Sequence, residues 1–369
     1  MNNLVSASYS SIANRLMSSN ISKFKMTLLA LVFFPSFILS GCGEPLTLEQ
    51  MLPDSAGMTN EIYIFCNHET WNDTVGRYVN AELTKPLNNL PQPEAQFTLF
   101  QFDIDGATKA RMSHRNIIEI EINDRNENKK TRIVKSKDVW AKGQLLYKFK
   151  GQNEKDILAL MEVEIPFIIE EIKKKELERY RLRFASKPNL TIQRKLKEER
   201  GINLTVPHKL NLQENREGFA WLEAKGLGPE GKRVLHQGIF VYHYPYTDDS
   251  TFTYDFLIAK RDEVLKANVP GSSDDQYLET LILPGKKPTI TEFDYNGEYA
   301  IEMRGEFSMH NGFMGGPFVS ITTFDKANGR IVTVEGYCYA PLLKKRDFLT
   351  EMEAVVYSTT FDPLNVQGQ

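Results

Sequence analysis

Asn116-Ile117-Ile118-Glu119-Ile120-Glu121-Ile122 puts Ile118, Ile120 and Ile122 on one side of an extended chain and Glu119 and Glu121 on the other. Period two over such a span marks a strand, because successive side chains leave opposite faces. Upstream, Glu61 to Cys66 is apolar on both faces, as in a central strand. Trp71, Val75, Val79 and Leu83 then recur at helical spacing, with Thr70 as the expected N-cap. Gln96 to Phe102, Thr131 to Ser136 and Leu145 to Phe149 read as further strands. A long helix is expected from Asn153, carrying Ile157, Met161, Ile165, Ile168 and Ile172. Pro166 should kink or split it. Past Ile172 the helix is mostly charged and reads as a solvated arm between domains.

Lys187 to Arg200 reads as a basic helix stopped by Gly201. Strands follow at Ile202 to Val206, Phe219 to Leu222, Gly238 to Tyr246, Leu278 to Leu283, Glu298 to Arg304, Pro317 to Phe324 and Arg330 to Tyr339. A helix from Asp255 to Ala267 interrupts them, and an amphipathic helix with the stripe Leu342, Leu349, Met352 and Val356 closes the chain. Blocks of consecutive strands favour an α+β class over a doubly wound parallel sheet. The expectation is two α/β-sandwich halves with mainly antiparallel sheets, an internal βαβββα duplication, and a long charged helix joining them. The expected divisions are a leader at 1–41, a tether at 42–60, a first domain at 61–186 and a second at 187–369.

Leu39-Ser40-Gly41-Cys42 closes an apolar run that begins near Met26, with Lys23 and Lys25 before it. A basic flank, a short apolar core and small residues before a cysteine are the parts of a lipoprotein export signal. Cleavage behind Gly41 and acylation of the Cys42 thiol are expected. One chain holds a protein marginally, while two or more anchor it firmly, at ~0.8 kcal/mol per buried methylene. Gly43, rather than aspartate, follows the cysteine, which favours the outer membrane of a Gram-negative envelope. The lipid bilayer is thus one expected partner.

The chain has 45 basic and 48 acidic residues. Losing Arg15, Lys23 and Lys25 with the leader takes the net charge from −3 to about −6. Such a chain lacks the concentrated basic face that nucleic acid requires, and none is expected as partner. Beyond the leader no stretch is apolar for long enough to cross a membrane as a helix. Cys66 and Cys338 remain, either as a pair or as two buried small hydrophobes.

No metal site, cofactor motif or catalytic constellation stands out: Gly-x-Ser-x-Gly, His-Glu-x-x-His and the Walker loop are all missing. His68-Glu69, at a strand-to-helix turn, is the best catalytic candidate by position, against the plainer account of helix capping. Gly312-Phe313-Met314-Gly315-Gly316-Pro317 is the densest glycine cluster, readable as a ligand cradle with Arg304 or as a hairpin turn. Phe240, Tyr242 and Tyr244 share one strand face, which suits either recognition or core. Tyr242, Tyr244, Arg304, Gly315 and Gly316 are therefore the expected ligand-binding residues.

The lipobox, Leu90-Pro91-Gln92-Pro93-Glu94, Arg115-Asn116-Ile117-Ile118, Trp140-Ala141-Lys142-Gly143-Gln144, Arg304-Gly305 and Met314-Gly315-Gly316-Pro317-Phe318 occur in that order. Together they resemble an uncharacterised lipoprotein family of Gram-negative, Bacteroidetes-type bacteria, a domain of unknown function. That family's pattern has tryptophan after Arg304-Gly305, where this chain has Glu306-Phe307. The resemblance implies an envelope lipoprotein and brings no activity. The expected function is non-catalytic binding of an envelope protein or ligand; the alternative is a hydrolase acting on an envelope polymer or glycan.

Overall fold

A computed structural model describes residues 52–123 and 130–364. The leader, Cys42 and most of the expected tether lie outside the described residues.

Five strands form the first sheet: β1 (Glu61–Phe65), β2 (Thr98–Phe102), β3 (Asn116–Ile122), β4 (Arg132–Lys137) and β5 (Leu145–Gly151), in the order β2-β1-β3-β5-β4. Its pairings β1·β2, β1·β3 and β3·β5 are parallel and only β4·β5 is antiparallel. The α+β class holds and the larger sheet is antiparallel throughout, but the first sheet departs from that expectation. Short helices make the crossovers. They are α1 (His68–Asn72) and α2 (Thr74–Leu83) after β1, and α3 (Lys109–Met112) after β2. The helix predicted after Thr70 is thus two. The Asn67 side chain caps α1 by accepting from the Thr70 amide, and Asp73 caps α2.

The long helix α4 (Glu154–Ser186) runs unbroken through Pro166. Glu162 and Pro166 both lie on its exposed side, so the carbonyl that proline leaves without an amide partner faces water. Ile157, Met161, Ile165, Ile168 and Ile172 pack on one face of the first sheet with Ile62, Ile64, Ile118, Ile120 and Phe149. The far end of α4 belongs to another core, through Tyr180 and Phe184. Its charged segment is therefore not a solvated arm. Glu176 is buried, ion-paired to Arg115 at 3.0 Å and to Arg179 at 2.6 Å.

After α5 (Leu190–Arg200), whose C-cap Gly201 takes the left-handed φ of 60°, comes a short strand β6 (Ile202–Asn203). The second sheet follows: β7 (Asn211–Arg216), β8 (Phe219–Leu227), β9 (Val234–Pro245), then, after α6 (Tyr254–Asn268), β10 (Leu278–Thr280), β11 (Thr289–Tyr295), β12 (Glu298–Met309), β13 (Gly315–Asp325) and β14 (Arg330–Tyr339). Its order is β10-β12-β13-β14-β9-β8-β7, with β11 also on β12. Helix α7 (Arg346–Val356) and β15 (Thr360–Phe361), paired with β6, end the described chain. Leu342, assigned to the last helix from its spacing, lies outside it and is exposed.

Both faces of this sheet are covered. Val241, Val332 and Val334 meet α5 and α7 through Leu196, Met352 and Val355. Phe240, Tyr242, Met303 and Tyr337 meet α6 through Leu257 and Leu265. A buried aliphatic side chain contributes ~1.5–3 kcal/mol, so such double covering accounts for the many apolar positions on both faces of β9, β13 and β14. One sheet being mainly parallel and the other wholly antiparallel, the two share no topology, and the expected βαβββα duplication is not found. Cys66 directly follows β1 of the first sheet and Cys338 lies in β14 of the second; both are buried free thiols, not a bridge. Among the described residues no helix is long and apolar enough to cross a membrane.

Candidate functional site

The expected ligand residues do not come together on an open surface. Tyr242 is buried in the core beneath α6, and Tyr244 is half-buried with its ring 6.0 Å from that of Phe256. Arg304 points to the opposite face, forked onto Glu302 and paired with Glu353 of α7. Burial works against its charge, but the two carboxylates outweigh that and hold the guanidinium protonated well above its ordinary range. Gly315 and Gly316 open β13, and a Cβ at Gly316 would fall on the Cys338 carbonyl oxygen. The glycine there permits close strand packing. His68 and Glu69 are exposed in α1, with the capping done by Asn67.

The first sheet offers a partly open face, on which Phe65, Ile117 and Leu146 are buried with Met112 while Phe100 and Val134 reach solvent. Helices α2 and α4 cover one side of the sheet; across the other, the pairing aligns side chains in rows. One row runs Phe100, Tyr63, Ile117, Leu146 and Ser136. The next runs Phe102, Phe65, Glu119, Lys148 and Val134. A third joins Glu121, Lys150 and Arg132. The face therefore grades from aromatic at β2 to charged at β5, and Glu119–Lys148 and Glu121–Lys150 close as ion pairs, each at 2.7 Å.

The connection between β2 and β3 roofs part of this face and leaves a cavity of about 210 Å³. Ile104, Ala107, Lys109 and Met112 form the roof, Phe65, Glu119 and Lys148 the floor, and Trp140 the outer wall. Trp140 is 44% exposed; Phe100, Ile104, Val134 and Val139 are exposed large apolar neighbours from the same strands and loops. The site lies across the middle of the sheet, at Glu119 of β3 and Lys148 of β5, between Phe65 at the carboxyl end of β1 and Trp140 before the amino end of β5.

Buried polar groups hold the walls. The Gln144 amide nitrogen donates to the Met112 and His114 carbonyls, while its oxygen accepts from the Trp140 amide. One buried side chain thus fixes roof and outer wall together. His114 stacks on Tyr63 with ring centres 3.7 Å apart, and its Nε2 lies 3.5 Å from the Glu61 carboxylate. Burial lowers its pKa below the ordinary imidazole value, partly offset by the Asn116 carbonyl and Glu61. Burial also pushes the Cys66 thiol, just after β1, up to about 11. Among the described residues no group of three histidine, cysteine or carboxylate side chains is placed to hold a metal ion.

The sequence pattern sets Glu119 and Glu121 opposite the isoleucine face and does not mark the site around them. Its aromatic floor comes from β1 and β2, and their alignment with β3 follows only from strand pairing. Trp140-Ala141-Lys142-Gly143-Gln144 was the available signal.

Two family models match the chain, each of a domain of unknown function: DUF8532 over residues 55–185 and DUF4837 over residues 189–358. Both support an uncharacterised domain family. No curated protein matches. Among solved structures, LpqN, described as involved in cell envelope biogenesis of Mycobacterium tuberculosis, matches at 17% identity and a TM-score of 0.28, over 44% of this chain and 83% of that one. That overlap is too loose to fix fold or function.

Proposed function

We propose that the protein is an envelope lipoprotein, held to the outer membrane by acyl chains on Cys42, that binds an amphipathic ligand at the partly open face of the first sheet. The observation that carries the binding reading is the cavity walled by Trp140 and floored by Phe65, Glu119 and Lys148. Its lining is mainly apolar with a few charged groups, Lys109, Glu119 and Lys148, the composition typical of ligand pockets. The Leu39-Ser40-Gly41-Cys42 motif supports the anchor.

A hydrolase of envelope glycans would need one carboxylate as acid and another as base or nucleophile. Glu119 and Glu121 share the face, but each is matched by a lysine directly across the strand pair. That matching favours binding over hydrolysis.

A thermal-shift screen with soluble envelope glycan fragments and short-chain acylated ones tests the site. Stabilisation by one of them that Trp140→Ala abolishes is the expected result. Stabilisation that survives Trp140→Ala together with Glu119→Gln, or release of cleaved glycan, overturns the reading. Acyl-probe labelling of wild type against Cys42→Ala tests the anchor, and equal label in both removes it.

A further inference from the structure

At one end of the second sheet three neighbouring strands present apolar side chains to solvent. The β12–β13 hairpin that carries Phe313 leads into β13, β13 pairs with β14, whose chain runs on to Leu342, and β14 pairs with β9, which begins just after Arg233. The Arg233 guanidinium donates to the Leu342 carbonyl at 2.7 Å, so these two meet. Phe313, at the tip of the β12–β13 hairpin, is fully exposed and Leu342 is 79% exposed. Leu227 and Val234, paired where the β8–β9 hairpin begins its turn, are exposed beside them. Lys232, Arg233 and Lys344 stand exposed among these apolar groups, with Glu230 in the same turn.

Leu342 is also strained. Its φ of 64° lies in the left-handed region, which leucine rarely adopts. A strained residue normally persists because surrounding packing fixes it or because its position serves a function. Here the side chain packs against little, being mostly in water.

The described chain enters the fold at Pro53 to Ala56, whose backbone pairs with Lys142 and Ser113, and runs from there to Asn60. Asn60, just before β1, donates to Asp347 at 3.0 Å, in the first turn of α7 and five residues past Leu342. From Gly43 to Leu52 the contour is at most ~35 Å. An anchor at Cys42 would therefore leave this edge within reach of the bilayer.

We infer that this edge docks on an anionic lipid surface, with Phe313 and Leu342 entering the headgroup region and Lys232, Arg233 and Lys344 facing lipid phosphates. Exposed apolar groups interleaved with basic ones are what an interfacial surface requires. The inference rests on the acylation reading for its geometry and adds an orientation to it: a body laid against the membrane by a defined edge.

The test uses the full chain purified from membranes and reconstituted into vesicles of phosphatidylethanolamine with phosphatidylglycerol, or of phosphatidylcholine alone. Phe313→Cys, Leu342→Cys and, as control, the exposed Phe167→Cys each carry an environment-sensitive fluorophore. Cys66 and Cys338 are buried and stay unlabelled. In the anionic vesicles, emission at 313 and 342 should shift to the blue and be quenched by a chain-attached quencher, while 167 stays unchanged. Phosphatidylcholine, or Lys344→Glu with Arg233→Glu, should reduce the shift. A chain that floats with the vesicles while 313 and 342 behave like 167 overturns the inference and leaves the anchor standing. A chain that does not float overturns both, since the edge is proposed to act within the reach that the anchor sets.

Discussion

Arg261 of α6 lies over the Phe318 ring, its guanidinium carbon 3.8 Å from the ring centre, and forks onto Glu335 through two hydrogen bonds of 2.8 and 2.7 Å. Both side chains are almost wholly buried. Thr280 accepts a third hydrogen bond from the same guanidinium. The pair ties α6 to the middle of the second sheet, on the face where sequence reasoning expected a ligand surface.

Removing one member of this pair leaves an uncompensated buried charge. Arg261→Met and Glu335→Leu should each cost about 3–5 kcal/mol, whereas the double variant should recover much of that loss. Urea denaturation of the three variants measures it. Additive losses would mean that the ion pair is not coupled as described.

Gly316→Ala forces a methyl group onto the Cys338 carbonyl, and the backbone of β13 or β14 must move. Overpacking of this kind costs typically about 1–3 kcal/mol. Gly315→Ala meets only the Phe307 carbonyl at 3.0 Å and should cost less. Thermal melts of the two variants check the order, and neither change should alter ligand binding at the first sheet.

Gln144→Leu removes the amide that holds Trp140, Met112 and His114 in register. Leaving those carbonyls without a donor should cost about 1–3 kcal/mol. The cavity's roof and outer wall should loosen together. Hydrogen exchange resolved to peptides should show faster exchange at both 104–114 and 138–144, with the second sheet unaffected.

His243 faces Arg330, Arg200 and Asp325 at the end of β9. Burial, then the two arginines, lower its pKa to about 4, with Asp325 opposing. The folded value lies below the unfolded one near 6.5, so in that window the unfolded chain binds a proton that the native chain refuses. Stability from this group is present above pH 6.5 and is lost as pH falls toward about 4. His114 and His236, also lowered chiefly by burial, act in the same direction. Denaturation midpoints measured across pH 4 to 6.5 should slope upward with pH, and His243→Asn should flatten the slope.

Burial pushes the Cys338 thiol up to about 12 and the Cys66 thiol to about 11. A thiol reagent at pH 8 should leave both unmodified in the native chain and modify both in denaturant. Rapid native reaction at either, located by peptide mass spectrometry, would contradict the packing.

Local pattern was legible and pairing was not. Ile118, Ile120 and Ile122 announced β3 because one face is core and the other is not. Nothing in that alternation says whether a neighbour runs parallel, so the β1·β3·β5 arrangement stayed hidden. In β9 the aromatic row Phe240, Tyr242 and Tyr244 drew attention, yet Ile239 and Val241 behind it are also buried, which marks a strand covered on both sides. The partly open face escaped because its aromatic half and its charged half come from different strands. Helix caps misled by a few residues, since Asn67 and Asp73 competed with Thr70 and either of them can accept from a free amide.

The helix through Pro166 spans about 50 Å at 1.5 Å per residue. Its isoleucines sit in one core and Tyr180 and Phe184 in the other. The two matched regions meet at residues 185 and 189, just where this rod ends. A gene fragment cut there would carry the rod away with the first region and leave the second without two of its core aromatics. Expressed alone, the second region would thus expose the core positions that Tyr180 and Phe184 fill.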